Sequence, residues 1–352
     1  MDEPRSTRRR RRRLGADLTA LALVGVLLIA ALGAGGLSLY KEFYGASAFV
    51  TRYLELLSTG KAADALRLPG VALDSTVLAG AGIDSAASDA LLRSTALAPL
   101  SDVEVVSEET VDGVTAVTVD YLAGTHPGTS TFEVEPDGWA GVIPEWRFHS
   151  SPLAAVSLSV LGADAFAVNG FEIARNQVSP AGAEASPDDP LPLLVFTPGL
   201  YSVTVDTAIA ASPGVSLLAD SPLSQTPVTL QAQPTDEFVE VVQERVDEFL
   251  AECTTQQVLQ PTACPFGLEV QNRIVDAPVW TISQNPVVTV APDGGQWMIP
   301  PTDAAAHIEV DIRSLFDGSV EHVSEDVPFQ VNGTIRILAD GSVSIRVGTP
   351  NG

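Results

Sequence analysis

The chain has 352 residues, with 19 Lys and Arg against 44 Asp and Glu, for a formal net charge of -25 at pH 7. Seven of those bases but only three of the acids lie in the first forty residues, so the remainder holds 12 bases against 41 acids, formally -29. Such a surface repels nucleic acid and anionic lipid, which argues against a nucleic-acid partner, and its length exceeds what one hydrophobic core usually serves.

The N-terminus carries Arg5 and then Arg8, Arg9, Arg10, Arg11, Arg12 and Arg13, followed by a run without charge from residue 18 to residue 40. At about 1.5 Å per residue, that run spans roughly 34 Å, enough to cross a hydrocarbon core of about 30 Å. The expectation is a basic cytoplasmic tail at 1–17 and a single transmembrane helix at 18–40. Arg8 to Arg13 act as topology determinants, because positive charge stays on the cytoplasmic side and only Lys41 follows closely. The protein is then a single-pass cell-membrane protein with its C-terminal domains extracytoplasmic. A cleavable signal peptide shares this charge order but has a shorter apolar region, usually about 7 to 15 residues, and "AALGAGG" is a mediocre cleavage site. A lipoprotein needs a cysteine just after the apolar run, and the two cysteines stand at 253 and 264.

From residue 41 to 149 the pattern reads as helices followed by strands. "EFYGASAFVTRYLELLSTG" sets Phe43, Phe49, Tyr53, Leu54, Leu56 and Leu57 at helical spacing and stops at Gly60. A second helical stretch is expected in "SDALLRSTALAPL" (residues 88–100). The period then changes to two, with hairpin turns expected at Asp112-Gly113 and Asp137-Gly138.

Residues 150–232 read as a small all-β sandwich: a hairpin about Asn169-Gly170, a Pro- and acid-rich loop at 176–192, then strand, Pro-Gly turn and strand in "LLVFTPGLYSVTV". The loop is the expected first site of proteolysis. Residues 233–352 return to helix and strands. "TDEFVEVVQERVDEFLAEC" puts Phe238, Val242, Val246 and Leu250 on one face, with Thr235 as N-cap, and Asp-Gly pairs at 293, 317 and 340 mark further turns. Cys253 and Cys264, on the oxidising side of the membrane, are expected to form a disulfide. Two cysteines with no nearby histidine are too few ligands for a metal.

The order of basic N-terminus, membrane helix, α+β domain, small β domain carrying "VNG" and "TPGLYSVTV", and second α+β domain resembles bacterial envelope proteins of the teicoplanin-resistance-associated type. The resemblance implies an α+β protein with two cone-shaped domains, each a helix on an antiparallel sheet of the cystatin-like or nuclear-transport-factor-like kind, flanking a sandwich similar to PEGA-type or immunoglobulin-like modules. A cytoplasmic zinc ribbon, frequent in that family, has no counterpart in the arginine-rich tail.

Signals for chemistry are sparse. His126, His149, His307 and His322 form no ligand-spaced cluster, no Gly-x-Ser-x-Gly occurs, and no Asp-Gly pair opens an EF-hand loop. Glu133 and Glu135 share one side of a strand and read as a solvated face. Tyr53, Tyr121, Phe132, Trp139 and Trp146 are the candidate ligand-pocket residues, lining the space between helix and sheet in the first domain, with core packing as the competing reading. No cofactor and no metal are expected. The functional expectation is a non-catalytic, membrane-anchored protein that binds or organises another envelope component, either a protein or a wall polymer. The alternative is an anchored hydrolase or transferase with its site in a cone-domain pocket.

Overall fold

A computed structural model describes residues 42–73, 75–141, 143–337 and 343–348. The fold is α+β and dominated by strands. The arginine tail and the apolar run at 18–40 lie outside the described residues. Among the described residues, no helix is long and apolar enough to cross a membrane.

Helix α1 (Ala46–Ser58) buries Ala46, Val50, Tyr53, Leu54 and Leu57, a spacing of three and four that keeps one stripe against the sheet. It ends where Gly60 takes φ 71°, a left-handed conformation that glycine adopts freely. Two short helices follow, α2 (Ala62–Leu66) and α3 (Ser75–Gly80), and then a four-stranded meander: β1 (Leu100–Val111), β2 (Val114–Ala123), β3 (His126–Ala140) and β4 (Ile143–Phe148). Asp112-Gly113 is a turn as expected, with positive φ at both residues, which matches the twist of a two-residue hairpin. Asp137-Gly138 is not one. It lies inside β3 at a register shift opposite Glu145 and Trp146, and the chain reverses only after Ala140. The helix expected at 88–100 is also absent, apart from one 3-10 turn at Ser94–Ala96. Ser88 instead exchanges backbone hydrogen bonds with the middle module, donating to Pro192 and accepting from Leu194, both at 2.8 Å. A long-range pairing thus overrides the local helical pattern.

The middle module is a seven-stranded sandwich. One sheet runs β12 (Gln225–Gln231), β5 (Leu153–Leu161), β8 (Leu191–Phe196); the other runs β11 (Val215–Ala219), β9 (Gly199–Thr204), β6 (Ala165–Val168), β7 (Phe171–Ala174). A two-stranded ribbon pairs β10 (Ala210–Ala211) with β13 (Gln233–Pro234). Asn169-Gly170 forms the expected tight turn, and the Asn169 amide also donates to the carbonyls of Ala96 and Leu200, both at 2.8 Å. The loop after β7 opens with a single helical turn, α4 (Arg175–Val178).

The last module sets α5 (Asp236–Thr254) on a six-stranded sheet. Thr235 caps the helix, its hydroxyl accepting from the Phe238 N–H at 3.2 Å. Strand β17 (Gln296–Arg313) is central. It pairs with β18 (Val320–Ile337) on one side and with β14 (Arg273–Ile274), β15 (Val279–Gln284) and β16 (Ala291–Asp293) on the other; β19 (Val343–Gly348) pairs with the end of β18. The turn near Asp317-Gly318 joins β17 to β18, Gly294 follows β16 as expected, and Asp340-Gly341 lies outside the described residues.

Cys253 and Cys264 are bonded, with Cα atoms 5.8 Å apart. The bond returns the chain from the end of α5 so that Phe266 packs against Trp280 and Phe329. Closing a loop of this size is worth on the order of 3 kcal/mol in the chain-entropy model. Replacing both cysteines by serine is expected to lower stability in urea by about that amount. The unaltered protein is expected to take up a thiol label only after reduction; labelling before reduction refutes the bond.

Packing joins the three modules. The core under α1 includes Leu153 and Phe196 of the sandwich, and the Tyr53 hydroxyl donates to the Thr197 carbonyl at 2.8 Å. A second core runs without a break from Val156, Leu158 and Tyr201 in the sandwich to Phe238, Trp297 and Ile308 in the last module.

Candidate functional site

The candidate pocket of the first module is filled. Tyr53, Tyr121 and Phe132 are buried, and Tyr53, Phe132 and Phe148 meet edge to face at centroid distances of 5.2 to 6.2 Å. These three candidates belong to the core under α1. Burial pushes the hydroxyl pKa of Tyr53 well above its ordinary value, so it stays a neutral donor. Trp146 is half-buried and donates through Nε1 to the Tyr44 carbonyl at 2.9 Å, while Trp139 stands on the surface. Glu133 and Glu135 lie on a solvated face, as expected, where Glu133 accepts from Ser150 at 2.6 Å and Glu135 meets His149 at 2.9 Å and Arg147 at 3.6 Å. His126 opens β3 as an exposed residue.

The polar side chains gather elsewhere, on the outer face of the last sheet. Alternation along β17 turns Ala304, Ala306, Ile308 and Val310 inward, which leaves Asp303, His307, Glu309 and Asp311 outside. The antiparallel register sets Asp326 opposite His307, Ser324 opposite Glu309 and His322 opposite Asp311. His307 Nδ1 lies 2.9 Å from Asp326 Oδ1, and His307 Nε2 lies 3.1 Å from Ser324 Oγ and 4.0 Å from Glu309. His322 Nδ1 lies 2.8 Å from Asp311 Oδ1. Hydrogen bonds from His307 first, and from Ser283 on β15 second, hold the Asp326 carboxyl below the usual carboxylate range. Any stability from this contact is therefore present at neutral pH and is lost as pH falls through the lowered value. Among the described residues, no group of His, Cys, Asp and Glu has the arrangement to hold a metal ion.

Ser324, His307 and Asp326 thus make the chain of hydrogen bonds that a serine nucleophile needs. Carboxylate-bearing residues stand beside it on β17. Glu309 faces Ser324 across the ladder and Asp311 follows two residues on, so an oxyanion formed by attack of Ser324 would meet carboxylates rather than donors. What this face offers is an open array of acceptors and imidazoles. On the same module, an open groove is lined by Val239, Val287 and Val288 together with Glu240, Glu244, Asp247 and Glu248 of α5.

No protein-family model, curated protein or solved structure matches the chain. The resemblance to teicoplanin-resistance-associated proteins rests on the order of elements and the turn motifs alone.

Histidine and serine are individually uninformative in this sequence, and the signal that joins them is register. His307, Glu309 and Asp311 alternate with apolar residues on one strand, and His322, Ser324 and Asp326 occupy alternate positions on the next. Pairing the two runs about the 314–319 turn brings the set together.

Proposed function

We propose that this is a non-catalytic, membrane-anchored extracytoplasmic protein whose last module binds another component of the cell envelope, a protein or a wall polymer. The observation that supports it best is the polar face of β17 and β18: imidazoles and carboxylates are held in fixed pairs on an open sheet, suited to an extended partner that brings hydroxyl or cationic groups. The acid-lined groove along α5 adds a second surface of the same sign. The anchor in this reading is the apolar run at 18–40, and the two helix-on-sheet modules are cone-like supports about the sandwich.

The test is capture by crosslinking from intact envelopes, with the full-length anchored protein compared with a His307→Ala, His322→Ala double variant, together with co-sedimentation of both with purified cell wall. Loss of the retained partner or of wall binding in the variant, at unchanged melting temperature, is the expected result. Truncation at residue 232 is unsuitable as a control because it cuts through the shared core. The hydrolase reading has one observation in its favour, the Ser324–His307–Asp326 chain, and predicts that a fluorophosphonate labels Ser324 and leaves Ser324→Ala unlabelled. Such labelling, with no specific capture, replaces the binding reading by the enzymatic one.

A further inference from the structure

The β3–β4 hairpin runs beyond the rest of its sheet. The last pair between β2 and β3 joins Thr115 to Val134, whereas β3 and β4 go on pairing to Ala140 and Ile143, six residues further. At about 3.3 Å per residue, that is an arm of roughly 20 Å. It ends in apolar side chains that nothing described covers: Trp139 is 68% exposed and Ile143 38%.

The arm runs toward the N-terminal end of α1. Along β4, Phe148 packs against Tyr53 and Phe49 of α1, and Trp146, two residues nearer the tip, bonds the carbonyl of Tyr44. Moving out along the hairpin is therefore moving back along the chain toward residue 40, where the apolar run ends. Tyr44 stands four positions after Tyr40, a reach of at most about 14 Å. On this side stand Phe43, 69% exposed, and Tyr44. Trp139, paired with Pro144 two residues beyond Trp146, thus lies on the hairpin end that leads away from the Tyr44 contact, and in the anchored reading Phe43 and Tyr44 are a short tether from the point where the chain leaves the bilayer. The interfacial layer there is about 5 to 7 Å thick on each side of the hydrocarbon, and it favours aromatic rings.

We propose that the tip of the β3–β4 hairpin, through Trp139 and Ile143 together with Phe43, seats in the interfacial layer of the membrane that the anchor crosses and fixes the angle at which the modules stand on it. The proposal rests on the anchored reading above. Asp137 and Glu145 flank the tip and are exposed, so the contact suits zwitterionic headgroups and is weakened by anionic ones.

The experiment uses full-length protein reconstituted into phosphatidylcholine nanodiscs, with and without phosphatidylcholine brominated high on the acyl chain. Trp280 and Trp297 are buried in the last module and Trp146 is half-buried, so Trp139 is the ring open to the quencher. Quenching of tryptophan emission by the brominated lipid is expected, with at least half of it lost in Trp139→Phe and less of it when anionic lipid replaces part of the phosphatidylcholine. Alkaline carbonate extraction of the same protein from vesicles reports anchorage separately. Anchored protein with equal quenching in both forms overturns this proposal and leaves the anchor standing, whereas extraction into the supernatant overturns both. Concentration-dependent dimers that disappear in Trp139→Phe, with no quenching, assign the tip to a second copy of the chain instead.

Discussion

Truncation of Trp297 to alanine is expected to cost about 3–5 kcal/mol, the range for removing a large aromatic from a packed core. Trp297 is 1% exposed and meets Phe238 of α5 edge to face at 6.1 Å. Its ring also lies against Gly162, just past β5: a Cβ built on that glycine would sit 2.9 Å from the Trp297 ring. One side chain therefore closes the core of the last module and its junction with the sandwich. Because that core is continuous, the two modules are expected to melt together in the unaltered protein, and Trp297→Ala should split the transition in two. Trp297→Phe should cost much less, since the indole Nε1 is buried without a hydrogen-bond partner among the described residues and its loss forfeits no bond. Calorimetry of all three forms checks this; two transitions in the unaltered protein, or an unchanged melt in the alanine variant, contradict it.

Replacement of Arg175 by methionine is the second large effect. The guanidinium is buried, and it donates to the carbonyl of Val160 and, at 3.0 Å, to that of Asp189, while its Nε lies 3.7 Å from the Asp164 carboxylate. Burial lowers its pKa, and Asp164, Asp189 and Asp188 oppose the shift, so the cation is kept. Methionine fills a similar volume but removes the donor to the carbonyls of Val160, Asp189 and, at 3.5 Å, Ser186, a cost of roughly 3 kcal/mol. The consequence reaches further, because the 182–189 loop that Arg175 holds is docked on the last module: the Gly295 N–H donates to Asp188 at 2.6 Å, and Pro187 packs on the same glycine. A loop tied at both ends should resist protease in the unaltered protein, contrary to its composition, and should become the first cleavage site in Arg175→Met. Equal urea midpoints and equal cleavage rates in the two forms would refute the role.

The elements most legible in the sequence were those whose determinants are local. Helix α5 follows from its own four-residue spacing and its Thr235 cap, and the Asp112 and Asn169 hairpins follow from pairs that tolerate positive φ. The same kind of signal failed where a distant strand offered more. Residues 88–100 have helical spacing, yet Ser88 pairs with β8; Asp137-Gly138 has turn chemistry, yet the β3–β4 ladder carries through it as a bulge. Aromatic content suggested a pocket in the first module, and only packing decides whether such rings line a space or fill it. There they fill it.

By itself, the sequence determined the α+β class, the capped helix α5, the Asp112 and Asn169 hairpin turns and the pairing partner of each cysteine, because each of these depends on residues near in the chain or on a count of two. Tertiary structure alone decided that the sandwich and the last module share one core, that Arg175 pins a loop which reads as free, and that His307, Ser324 and Asp326 meet. Those outcomes depend on register and on contacts between residues far apart in the chain, and a one-residue slip of β18 along β17 would send all three of its polar side chains to the opposite face.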